Sequence, residues 1–151
     1  MNINKYIKQN YNQIDYKISV DPTQKLKFSM QLSNDEIKFY QYITHCSNYL
    51  KKIINYEFDF FILNLRNDSE FTYNNLCDQI KNLNIKKIEI EQFKNKIRII
   101  KRKINIFIAI ISIIDEKNIE EIGVISSKFA DLLIKSSLQF SMFQYYKDNS
   151  E

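Results

Sequence analysis

Six basic residues fall within ten positions, Lys94, Lys96, Arg98, Lys101, Arg102 and Lys103, a density suited to contact with phosphate. At helical spacing they spread around most of the non-apolar circumference and do not form one stripe. The reading is a solvated face that keeps an isoleucine-rich helix in water, with a weak anionic contact as the alternative. A net charge of +4 is modest for a nucleic-acid binder, whose charge gathers on one face, so no nucleic-acid partner is expected.

The remaining candidates for chemistry are isolated. His45 is the single histidine; it has no second histidine and no partner carboxylate nearby in sequence, whereas metal binding or general-base catalysis needs both neighbours and an orienting group. A structural role is expected for it. Cys46 and Cys77 have no CxxC spacing, so neither zinc nor a disulfide framework is indicated. The pairs Asp35/Glu36 and Glu120/Glu121 stand where helices begin, and the helix dipole accounts for them without acid–base catalysis.

Glycine scarcity excludes more. Of 151 residues, Gly123 is the single glycine and Pro22 the single proline. A phosphate-cradling loop needs several glycines, and tight sheet turns draw on Gly and Pro. Long helices tolerate this composition, so the fold class is all-α, an irregular bundle of about five helices in a single domain over 1–151.

Hydrophobic spacing places those helices. Ile3, Ile7, Tyr11 and Ile14 suit one amphipathic helix over 1–20, ended by Pro22. Ser33 and Glu36 form a capping-box signature opening a helix over 34–56, with Ile37, Tyr40, Ile43, Ser47, Leu50 and Ile54 along one stripe. Phe58–Leu65 fits either a buried helical turn or a short strand. A helix over 69–83 follows the capping residues Asn67–Glu70 and points Phe71, Leu76, Ile80 and Leu83 inward. A long hairpin occupies 86–146. Its first helix, 86–115, carries Phe93, Ile97, Ile100, Ile104, Ile108 and Ile111; its second, 118–146, carries Ile122, Ile125, Phe129, Leu132, Leu133 and Leu138 inward. The near-continuous apolar run Ile106–Ile114 implies burial on nearly all sides, either inside this bundle or against a partner. The apolar run Ile104–Ile114 is about half what a bilayer needs, and the N-terminus has no apolar signal core, so a cytoplasmic protein with no membrane contact is expected.

The hairpin resembles part of the bacterial glutamine-synthetase (glutamate–ammonia-ligase) adenylyltransferase family. There a helix of the type L-R-x-F-R/K-R-x-E-x-L-R-I-A precedes a turn and a second helix of the type D-L-E-E-V-x-x-x-L-S-x-L-A-D-x-x-L. This sequence supplies Ile97-Arg98-Ile99-Ile100-Lys101-Arg102-Lys103, Ile106 and Ile108-Ala109, then Asn118-Ile119-Glu120-Glu121-Ile122 and Ser127-Lys128-Phe129-Ala130-Asp131. It departs where the family's Glu is Ile104, its second Arg is Phe107 and its later Asp is Ser112. Acid and base are lost together, which avoids a lone buried charge.

The resemblance implies an N-terminal helical region lying ahead of a nucleotidyltransferase domain. That family's catalytic core carries a Gly-rich stretch and an S-D-x-D pair of metal-binding carboxylates and would begin shortly after Phe140; neither motif is present here. The expectation is a non-catalytic scaffold for a separately encoded adenylyltransferase part, inactive alone, with ATP and Mg needed only by that other part. Protein partners would be that catalytic part or glutamine synthetase, with self-association as the alternative. The candidate interaction surface is Arg98, Lys101, Arg102, Lys103, Ile106, Ile110 and Ile113. No catalytic, cofactor-binding or metal-ligating residue is assigned.

Overall fold

The computed structural model describes residues 32–83, 85–115 and 117–149. The helix expected over 1–20 lies outside the described residues. What is described is all-α, six helices without a strand: α1 (Asn34–Cys46), α2 (Asn48–Tyr56), α3 (Phe58–Arg66), α4 (Ser69–Lys81), α5 (Ile90–Ile114) and α6 (Ile119–Asp148).

Caps set most of the starts. Ser33 and Glu36 make the reciprocal capping box of α1, with Glu36 N–H donating to Ser33 Oγ at 3.2 Å and Ser33 N–H to Glu36 Oε2 at 2.8 Å. Asp68 Oδ1 accepts from Glu70 N–H at 2.7 Å before α4, and Asn118 Oδ1 from Glu121 N–H at 2.9 Å before α6. Each satisfies an amide that the first helical turn leaves without a partner.

The stretch 34–56 is two helices, not one. Ser47 is extended (φ −152°, ψ 118°), and its Oγ accepts from Leu50 N–H at 3.2 Å. A serine that bonds the amide three residues on offers the backbone an alternative to continuing the helix. A second break falls at Glu57, after which Phe58–Arg66 is helical, which resolves the ambiguity between helix and strand. The long helix begins at Ile90, not Lys86, because 85–87 form a turn; its 25 residues span about 37 Å.

Two apolar clusters fill the interior. One gathers Leu76, Cys77 and Ile80 of α4, Ile100, Ile104, Phe107 and Ile111 of α5, and Phe129 and Phe140 of α6. Phe93 stacks on Phe140 with ring centroids 4.0 Å apart, and Phe107 meets Phe129 edge-on at 6.1 Å. The other gathers Phe39 and Ile43 of α1, Ile53 and Ile54 of α2, Phe58, Phe61, Ile62 and Leu65 of α3, and Ile106 and Ile110 of α5. α5 packs on α2, α3, α4 and α6 in turn.

Two inward assignments are corrected. Leu138 is 59% exposed and Phe71 58% exposed. On α6 the packed stripe runs through Phe129, Ser136 and Phe140, and Leu138 stands across the helix from it at about 100° per residue. Phe71 lies on the first turn of α4, one position short of the buried Thr72.

Candidate functional site

The residues expected to form an interaction surface separate into three environments. Ile106 and Ile110 are completely buried in the second cluster, and Ile113 is half-buried against it. The bundle itself covers most of the Ile106–Ile114 run, as one of the two alternatives held.

Arg102 and Lys103 are engaged across helices. Arg102 Nε and Nη2 both donate to Glu57 Oε1, at 2.8 and 2.6 Å, and its guanidinium lies 5.3 Å from the Tyr56 ring centre. Lys103 Nζ donates to Gln79 Oε1 at 3.4 Å and sits 5.5 Å from the Phe60 ring centre. These contacts tie α5 to the α2–α3 junction and to α4. Arg98, bonded to Asn95 Oδ1 at 3.3 Å, and Lys101 are exposed. The basic run therefore splits between packing and solvent, and no phosphate-sized cluster forms from all six.

His45 and Cys46 are exposed at the end of α1, while Cys77 is buried in the first cluster. Tyr73, beside Cys77, has its phenol pushed above the ordinary value, chiefly by burial. Among the described residues no three His, Cys, Asp or Glu side chains converge as a metal site would require. None of the described helices is long and apolar enough to cross a membrane.

The surface that periodicity missed is the outer face of α6. Val124, Ile134, Leu138, Met142 and Tyr145 are all exposed, Ile134 at 67% and Tyr145 at 66%. Four of them, with three polar neighbours, fall on a heptad seam, Val124, Ser127, Asp131, Ile134, Leu138, Ser141 and Tyr145, at steps of three and four. One flank of the seam carries Lys128 and Lys135; the other carries the small residues Ala130 and Ser137. α6 thus has two apolar faces, one packed on α4 and α5 and one open. Assigning Leu138 to the packed face hid the second stripe; reading 124–145 at a period of 3.5 would have revealed it.

No known protein family, characterised protein or solved structure matches the chain.

Proposed function

We propose that the chain is a non-catalytic helical docking module that binds an amphipathic helix of a different protein along the outer face of α6. The observation that carries this is the open heptad seam from Val124 to Tyr145, on the side of α6 away from the face that packs on α4 and α5. Exposed apolar side chains aligned on one face of a surface helix, as Ile134, Leu138 and Tyr145 are here, mark an interaction site.

The charges favour a foreign helix over a second copy. A parallel pair of α6 helices would set Asp131 against Asp131 in the seam, and an antiparallel pair would bring the Lys128 and Lys135 flanks together. A partner helix with acidic residues on that flank meets neither obstacle, and Ala130 and Ser137 leave room for its backbone. The resemblance to the adenylyltransferases supplies a candidate for the partner, a separately encoded nucleotidyltransferase part that acts on glutamine synthetase.

The test is direct. The purified chain should run as a monomer by size-exclusion with light scattering. It should bind a synthetic peptide with Leu at the seam positions and Glu on the flank facing the lysines, and Leu138→Lys should abolish that binding. A concentration-independent dimer, or failure to bind the peptide, would overturn the docking assignment. ATP-dependent adenylylation of glutamine synthetase by the chain alone would overturn its non-catalytic character.

A further inference from the structure

A cleft of about 720 Å³ opens between α3 and α4. Phe60 and Leu63 of α3 form one side, Phe71 and Asn75 of α4 the other, and Tyr56 and Asn67 stand at its two ends. Tyr56, Leu63 and Phe71 are all exposed, so three large apolar side chains meet water in one groove. A cluster of this kind marks a contact surface. Asn64 is among the lining residues, but both atoms of its amide are buried, unbonded and sealed from the cleft, so it takes no part.

The chain reaches the described helices beside this cleft. Leu32 packs against the cluster that holds Phe58, Phe61 and Leu65. Ser33 N–H donates to Glu36 Oε2, and the same oxygen accepts from Arg66 Nη2 at the end of α3. Asn67, the next residue, lines the cleft. Residues 1–31 precede this point. The eleven residues 21–31 can span about 36–40 Å when extended. The nine residues of α3 measure about 14 Å, so such a tether reaches every part of the groove.

We infer that the segment 1–20 of this same chain docks in the α3–α4 cleft as an amphipathic helix. Ile3, Ile7, Tyr11, Ile14 and Ile18 follow at steps of four, four, three and four, which puts them on one helical face. That face covers Leu63, Phe71 and Tyr56. The charges agree: the segment carries Lys5, Lys8 and Lys17 against the single acid Asp15, while the exposed acids Asp59, Asp68 and Glu70 stand on α3 and at the start of α4. They orient the segment more than they hold it. A foreign peptide would have to displace a segment whose tether gives it a high effective concentration at the groove. The cleft is separate from the α6 seam, and each assignment stands without the other.

Paramagnetic relaxation in the ¹⁵N-labelled full chain tests this. A nitroxide is attached at Gln9→Cys, across the helix from the isoleucine face, in a Cys46→Ser background; Cys77 is buried. The amide signals of Leu63, Phe71 and Asn75 should lose most of their intensity. Ile7→Lys combined with Ile14→Lys should restore them, and Leu63→Lys, at an exposed position, should restore Phe71 and Asn75 from the other side. In a mixture of unlabelled ¹⁵N chain with spin-labelled ¹⁴N chain the same signals should stay sharp. Undiminished signals in the labelled chain would overturn the assignment, as would losses that survive both variants. Losses in the mixture would overturn it too, because the occupant would then be a second copy.

Discussion

Glu36 and Arg66, at the start of α1 and the end of α3, form a two-pronged pair: Nε donates to Oε1 at 2.6 Å and Nη2 to Oε2 at 3.0 Å. The same carboxylate caps its own helix through Ser33 N–H. One side chain therefore both begins a helix and fastens it to another.

That double role gives stability a pH dependence. The Arg66 hydrogen bond holds the Glu36 carboxyl below its ordinary 4.5, with burial opposing. The unfolded chain takes up the proton more readily, so the contribution is complete above 4.5 and fades as pH falls through the lower folded value. Glu36→Gln should cost about 1 kcal/mol at neutral pH, a figure reduced for the water around Arg66. Urea midpoints of the two proteins at pH 7, 5, 4 and 3 should converge toward the acid end.

Ser47 closes α1 and opens α2, so its hydroxyl acts at a junction. Ser47→Ala should destabilise by about 1 kcal/mol, the usual cost of a lost N-cap. Chemical denaturation measures it, and an unchanged midpoint would mean that packing alone sets the break.

Phe129 touches both Phe107 and Tyr73, at 6.1 and 5.1 Å between ring centres. Phe129→Ala should cost about 3–5 kcal/mol through lost burial and the cavity left behind. Against a total of about 5–15 kcal/mol, that leaves a marginal fold. Thermal unfolding by circular dichroism would report it.

Leu138 offers the contrast. It is as apolar as its buried neighbours yet 59% exposed, so Leu138→Lys should shift the stability of the isolated chain by no more than about 0.5 kcal/mol. A larger loss would place this residue in a contact within the chain.

Local signals were legible in the sequence where one residue decides them. The glycine and proline scarcity implied helices, and Ser33 and Asn118 marked starts that the structure keeps. Ser47 was not legible as a break, because it sat on an otherwise regular apolar stripe. Phe58–Leu65 was ambiguous for want of length. α6 misled because a helix with two apolar faces offers periodicity two solutions. The pairing of Glu57 with Arg102, 45 positions apart, and the isolation of Asn64 depend on which helices meet, and nothing local announces them.

Ile106 and Phe107 are neighbours in the chain, yet they enter different clusters. Residues about 100° apart on one helix cannot face the same way, and here each direction finds its own interior. Neither half of the molecule can therefore melt while leaving the other its floor. Unfolding should be a single cooperative event, and the amides from Ile104 to Ile111 should be the last to exchange with solvent.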